Sequence, residues 1–185
     1  MYKLSDIRLF NVQIGSRVLE TEVSDRFDIP VYSANVFEPF GKIDRLLKGV
    51  QDFSVDSVLW GIDGDWMVNY IEKEKPFYPT DHCGVLRVKT DEIEPKVLSM
   101  ALEIAGETAG FKRSYRASID RVKSLIVTLP PLEEQKQIAA EVASYEAEIA
   151  KAQAMMDSAS ARKQDILRKH GIILDSPSAP ASNSL

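Results

Sequence analysis

The feature that most constrains this 185-residue chain is one long helical pattern in its C-terminal third. The pattern opens at Leu129-Pro-Pro-Leu-Glu-Glu-Gln135, where Pro131 suits the first helical turn because its missing N–H has no partner there. Glu133 and Glu134 follow in the same turn, where the positive end of the helix dipole stabilises their carboxylates. The pattern runs to about residue 170, so roughly 40 residues would form a helix on the order of 60 Å long.

Apolar or small residues recur along this helix at alternating steps of four and three, a period of about 3.5 residues. Such a helix pairs with another helix, and the predicted dimerisation seam consists of Ile138, Val142, Tyr145, Ile149, Ala152, Met156, Ala159 and Ile166. Acidic residues (Glu141, Glu146, Glu148) cluster near one end and basic residues (Arg162, Lys163, Arg168, Lys169) near the other. Because a parallel pair would oppose like charges, we expect an antiparallel homodimer.

The first 130 residues predict one globular domain of mixed α/β class, rich in short strands. A hairpin is expected from Val55–Gly61 and Trp66–Ile71, because Asp63-Gly-Asp65 between them supplies turn residues. Other strands are expected within residues 1–20, at Ile29–Ser33, His82–Val88 and Leu125–Leu129, and a helix at Pro95–Ala105. Residues 42–49 suit a short helix or a hairpin arm.

The domain organisation follows from these patterns. Residues 1–130 form the globular domain, 131–171 the long dimerisation and spacer helix, and 172–185 a Ser- and Pro-rich tail that we expect to be disordered. The chain has no apolar run of the roughly 18 residues that a membrane span needs. It also has a single cysteine and so no disulfide framework. Together these two features predict a cytoplasmic protein without disulfides or membrane contact.

The net charge of −5 argues against indiscriminate nucleic-acid binding, because affinity for phosphate comes from Lys and Arg. Any DNA site must therefore be a local patch. The densest basic segment lies just before the long helix, after a flexible Gly110. Its cations could hold phosphates and its polar side chains could contact bases, and the candidate residues are Lys112, Arg113, Ser114, Tyr115 and Arg116. A solvated charged loop is the alternative.

Two weaker DNA candidates lie upstream. Lys42, Arg45 and Lys48 would form a basic stripe on a short helix, or else a plain exposed face. Ser33 and Asn35 are residue types that read base edges, since Asn can pair with adenine, although both also cap turns.

The residues that could form a catalytic site do not have the arrangement that catalysis requires. On a strand, His82 and Cys83 would point to opposite faces, so Asp81-His82-Cys83 cannot act as a catalytic trio. Asp81 with Glu94-Pro-Lys96 loosely matches a nuclease metal site, but the proline would interrupt the required strand. The nucleotide-binding glycine motifs and the amino-methyltransferase motif are absent. We therefore expect no catalytic residue, metal or cofactor, and we assign Trp60 and Trp66 to the core.

The element Leu129–Gln135 followed by a long helix resembles the conserved-region signature of DNA-specificity (S) subunits of type I restriction–modification systems. Segments 29–35, 58–64 and 77–83 resemble, more weakly, the target-recognition domain of that family. The resemblance implies a non-catalytic reader of double-stranded DNA. It also implies that adenine methyltransferase subunits dock on the long helix, and it leaves the participation of restriction subunits open.

Full-length members of that family resemble a tandem repeat of two recognition domains and two helices, whereas this chain carries one of each. It therefore resembles a half-subunit that dimerises and reads a bipartite inverted target. Two alternatives remain: a coiled-coil tether that does not bind DNA, and an independent nuclease.

Overall fold

The computed structural model describes residues 1–46 and 53–172. The described chain divides into two compact units, Met1–Ala139 and the residues from Ala140 onward. The fold is mixed α/β with a long C-terminal helix, as predicted. Its strands are β1 Tyr2–Lys3, β2 Phe10–Ile14, β3 Ile29–Tyr32, β4 Gly41–Ile43, β5 Ser57–Gly61, β6 Val68–Ile71, β7 Tyr78–Pro79, β8 Cys83–Val88 and β9 Ile126–Val127. Its helices are α1 Pro95–Ala109, α2 Ile119–Ser124 and α3 Leu132–Lys169, with a single 3-10 turn at Glu20–Glu22.

The centre of the first unit is a four-stranded antiparallel sheet in the order β2-β8-β5-β6. All five residues of β5 are buried, because both faces of this strand are covered. Successive side chains of β5 point to opposite faces of the sheet and pack into two different cores, because a strand has a two-residue period. Trp60 packs with α1 residues such as Leu98 and Leu102, and Leu59 packs on the opposite face with Phe77 and Cys83. The β5–β6 hairpin confirms the sequence prediction.

A second sheet has the order β4-β3-β7, with β3 antiparallel to β4 and parallel to β7. The hydrophobic core of this sheet is formed by the buried residues Val31, Ile43 and Tyr78. A third pairing joins β1 at the N-terminus to β9, the strand just before α3. The N-terminal segment is thereby attached next to the start of the long helix.

The start of α3 is fastened to the first unit by Gln135, whose side chain is fully buried. Its Oε1 accepts a hydrogen bond from the backbone N–H of Glu94 at 2.9 Å. Its Nε2 donates to the carbonyl oxygens of Pro130 at 2.8 Å and Glu92 at 3.3 Å. The last residue of the Leu129–Gln135 element therefore joins the helix start to the loop that precedes α1.

Within the second unit, α3 exposes the large apolar residues of the predicted seam. The exposed fractions are 57% for Tyr145, 68% for Ile149, 64% for Met156 and 59% for Ile166. Among the described residues, no helix is both long and apolar enough to cross a membrane. The predicted tail from residue 173 onward lies outside the described residues.

Several predicted elements need correction. Residues 1–20 contain only β1 and β2 as strands, and the strand expected at Leu125–Leu129 is reduced to the two residues of β9. Helix α1 continues four residues beyond the predicted Ala105 and ends at Gly110, whose φ of 78° is the left-handed conformation that glycine adopts easily. Helix α2 and strand β7 were not predicted, because they are too short to show a period.

Candidate nucleic-acid interface

The basic segment forms a tight turn, which we call the basic turn and define as Lys112–Arg116. The backbone N–H of Lys112 donates to the carbonyl of Tyr115 at 3.1 Å, and the N–H of Tyr115 donates back at 2.8 Å. Arg113 and Ser114 therefore occupy the tip of a two-residue turn. All five residues are exposed, which is what contact with a large ligand requires.

Aromatic stacking holds the basic turn in place. The Trp66 ring lies 5.1 Å from that of Phe111, and Phe111 lies 5.7 Å from Tyr115. The guanidinium of Arg121 then covers the Tyr115 ring at 4.1 Å, a cation–π contact. Because the indole N–H of Trp66 donates to the carbonyl of Glu103 at 2.9 Å, this stack connects α1 to the turn. The turn is therefore a packed element of the fold.

Ala117, directly after the turn, attaches the segment to the β5–β6 hairpin. Its N–H donates to the carbonyl of Ile62 at 3.1 Å, and its own carbonyl accepts from the indole N–H of Trp60 at 2.9 Å. This docking places Arg116 beside Asp63 of the hairpin turn, and the Nε of Arg116 forms an ion pair with Oδ1 of Asp63. Trp60 is buried, as predicted.

Asp63 also binds a second basic side chain, because its Oδ2 contacts Nδ1 of His82. Partial burial acts to raise the pKa of Asp63, but the hydrogen bonds from His82 and Arg116 outweigh it and hold that pKa below the usual carboxyl value. The other ring nitrogen of His82 lies 3.9 Å from a carboxylate oxygen of Asp81. The site is therefore a compact cluster of polar and charged side chains around an ionised Asp63.

A chain of polar contacts leads from this cluster to Ser33. The backbone N–H of His82 donates to Oγ1 of Thr80 at 3.2 Å, and Thr80 Oγ1 donates to Oγ of Ser33 at 3.0 Å. Ser33, Thr80 and His82 line one open cavity of about 360 Å³, together with Arg17. The structure thus brings Ser33 and Arg116, both predicted site residues, onto one continuous polar path.

Thr80, His82 and Asp63 are the members of this path that sequence reasoning did not select. Sequence reasoning considered His82 for catalysis and placed Asp63 in the hairpin turn. The sequence signal that was available is the pair of acids flanking Gly64 in the turn, but their partners lie far away along the chain.

The remaining predicted DNA residues lie in other surroundings. Asn35 caps its own loop, since its Oδ1 accepts from the backbone N–H groups of Phe37 at 2.9 Å and Glu38 at 3.1 Å. Its use in reading bases stays a prediction. Lys42 lies in β4 opposite Pro30. Arg45 forms an ion pair with Glu22, and its guanidinium lies 5.8 Å from the ring of Tyr78.

The basic stripe predicted for Lys42, Arg45 and Lys48 needs correction, because residues 41–46 form no helix. Gly41–Ile43 instead pairs with β3, as the hairpin-arm alternative foresaw, and Ile43 enters the core of that sheet. Lys48 lies outside the described residues.

The strand predicted from His82 needs correction, because β8 begins at Cys83 and His82 lies in the turn before it. Cys83 is fully buried and burial raises the pKa of its thiol, whereas 49% of the His82 side chain is exposed. Pro95 begins α1, so Glu94 and Lys96 lie at the start of a helix and not on a strand. Within residues 1–46 and 53–172, no group of three or more His, Cys, Asp or Glu side chains could hold a metal ion.

Comparison with known proteins finds a matching family model for most of this chain. Residues 1–154 match the family model described as "Type I restriction modification DNA specificity domain". A protein of Mycoplasma pneumoniae named as a type I specificity subunit, S.MpnORF507P, is 28% identical over 141 residues. That match covers 75% of this chain and 37% of the relative.

Solved structures show the same fold. The S subunit of a type I restriction–modification system from M. genitalium superposes with a TM-score of 0.69 at 12% identity, over 91% of this chain and 44% of that one. A structure solved to explain complex assembly and conformational transition of a type I system gives a TM-score of 0.53 at 16% identity, over 86% and 40%. This chain therefore spans less than half the length of each of these three proteins.

Proposed function

This chain belongs to the family of type I restriction–modification DNA specificity domains, and on that premise we propose that it recognises a defined sequence in double-stranded DNA. The observation that carries the proposal is the basic turn, because it is exposed, cationic and held rigidly by the Trp66–Phe111–Tyr115 stack. A site that is already ordered loses little entropy on binding. In this proposal residues 1–130 read DNA and 131–171 act as the spacer.

Two kinds of contact are expected at the basic turn. Lys112 and Arg113 lie at or beside its tip and would bind phosphates, which fixes the register of the domain on the duplex. Ser114 and Tyr115 offer hydroxyl groups and Ser33 a further one, which are suited to base edges or sugars. Since the chain is acidic overall, attraction to DNA has to come from this patch.

We propose further that the functional form is an antiparallel homodimer. The support is the seam of α3, whose large apolar residues Tyr145, Ile149, Met156 and Ile166 are more than half exposed. Pairing two such seams would remove this apolar surface from water. A two-fold dimer would present two reading domains to inverted half-sites separated by bases that are not read.

The chemistry is assigned to partner subunits. By resemblance to the family, adenine methyltransferase subunits would dock on α3 and supply methylation, and the structural similarity to a protein of an assembled type I system supports this view. The chain itself is proposed to be a non-catalytic reader. Participation of restriction subunits is left open.

The test is selection from a pool of randomised duplexes with the full chain at low salt, with and without Mg²⁺. We expect enrichment of a split inverted motif and no cleavage. Absence of any enrichment would contradict DNA recognition and favour a tether, and Mg²⁺-dependent cleavage by the purified chain would favour a nuclease.

A pair of variants locates the phosphate contact. Arg113→Ala should weaken binding to all sequences alike and reduce the slope of log affinity against log salt by about one, since one counterion-releasing contact is lost. Lys151→Ala, which removes an equal charge from the exposed surface of α3, should leave both quantities unchanged. Equal effects of the two variants would contradict the assignment of the basic turn.

A further inference from the structure

Arg116 differs from the other cations of the basic turn, because a carboxylate holds its side chain. The ion pair joins its Nε to Oδ1 of Asp63. Its backbone is held as well, since the Arg116 carbonyl accepts from the N–H of Ser118 at 3.0 Å and from Nη1 of Arg121 at 2.8 Å. Both the base and the end of this side chain are therefore positioned before any ligand arrives.

Charge at this position disfavours a phosphate. Asp63 neutralises Arg116, and the neighbouring His82 has a second carboxylate, Asp81, 3.9 Å from its Nε2. A phosphate placed on Arg116 would lie near the carboxylate of Asp63, whereas the edge of a base carries no net charge and avoids that repulsion. Lys112 and Arg113 at the tip are better placed for the backbone.

The contact with Asp63 determines which edge of the Arg116 guanidinium is left for a ligand. An arginine can present either its Nε side or its end-on edge, which is formed by the two terminal amino groups. Asp63 contacts Nε, so the end-on edge points away from the carboxylate. Because 57% of the Arg116 side chain is exposed, this edge can meet a ligand. Its two donors match the O6 and N7 acceptors of guanine in the major groove.

We propose that Arg116 is a specificity-determining residue that reads one guanine per half-site, and that Asp63 is the residue that positions it. The inference rests on the proposed function and goes beyond it by assigning one base to one side chain. Asp63 suits this role because His82 holds its other oxygen and only 25% of its side chain is exposed. A carboxylate fixed in this way restricts the rotamers of the arginine that it binds.

The experiment repeats the pool selection with four variants of the full chain and reads the base preference at each position. Arg116→Ala removes the guanidinium donors, whereas Arg116→Lys keeps the charge and replaces the planar fork with a single ammonium group. Arg116→Ala should lose the preference for guanine at one position of each half-site by roughly tenfold to a hundredfold, and Arg116→Lys should lose less of it. The preferences at the other positions should not change in either variant, and Arg116→Lys should keep the salt dependence.

Asp63→Asn should weaken the preference at that same position, because the arginine loses its anchor. Its overall affinity should hold or rise, since a negative charge near DNA is removed. Asp65→Asn is the matched control: it makes the same chemical change at an exposed residue of the same turn and should leave every preference intact.

Three results would overturn the inference in different ways. If Arg116→Ala keeps all base preferences, Arg116 does not read a base. If Arg116→Ala weakens binding to all sequences equally and reduces the slope of log affinity against log salt by about one, Arg116 is a phosphate contact. If Asp65→Asn acts like Asp63→Asn, the effect belongs to the turn's charge. A wild-type chain that enriches no motif would instead refute the proposed function itself.

Discussion

A single buried amide holds the first turn of α3 in place within the first unit. Gln135 satisfies three backbone groups, the N–H of Glu94 and the carbonyls of Glu92 and Pro130, and it is fully shielded from water. Backbone groups buried without partners are costly, so no apolar residue of similar size can replace this side chain. The glutamine thus has a structural role at the junction of α1 and α3.

We expect Gln135→Leu to lower the free energy of unfolding by about 2 kcal/mol or more, since leaving one buried polar group without a partner costs about 1–3 kcal/mol. Urea unfolding followed by circular dichroism measures it. Gln137→Leu, the same change at an exposed position of α3, is the control and should shift stability by less than about 0.5 kcal/mol. Equal losses in the two variants would argue against a junction role.

At the scale of elements, α1 supports the candidate interface through its contact with Trp66. Gly106 lies on the buried face of α1, and a Cβ added there would come within 2.2 Å of the Trp66 ring. The absence of a side chain at Gly106 is what lets the indole lie flat on the helix. Trp66 in turn carries Phe111 and the basic turn.

Gly106→Ala tests this packing because two effects oppose each other. Helix propensity alone favours alanine by about 1 kcal/mol. The clash with Trp66 should outweigh it, giving a net loss of roughly 1–3 kcal/mol, typical of an overpacked core, together with a change in tryptophan fluorescence. Glu107→Ala, at the adjacent exposed position, should change neither quantity appreciably. A stabilised Gly106→Ala variant would show that Trp66 is free to move aside.

At the scale of the whole molecule, the open question is what covers the seam of α3. Seam residues from Tyr145 to Ile166 repeat there every 3.5 residues and are exposed in the single chain. The proposed homodimer would bury them and would supply two copies of the reading domain, whereas this chain spans 37% of one matched relative and 44% of another.

Sedimentation equilibrium at micromolar concentration should therefore find a dimer of the full chain. Ile149→Glu places a charge in the middle of the seam and should yield monomers. Pairing would then bury a charged side chain from each protomer against apolar residues of the other, which is costly. Ala147→Glu introduces the same residue on the opposite side of the heptad and should remain dimeric. A monomeric wild-type chain would contradict the dimer proposal.

The sequence by itself determined the parts of this protein that depend on neighbouring residues. The long helix, its start at the Pro130-Pro131 pair, the β5–β6 hairpin and the helix from Pro95 all follow from periods, caps and turn residues within a few positions. Only the tertiary structure decided which distant residues meet. Asp63, His82 and Arg116 come together, and Gln135 finds Glu94, through pairings that span 19 to 53 positions. No local pattern encodes such contacts, because they arise when the packing of whole elements brings separate loops to one surface.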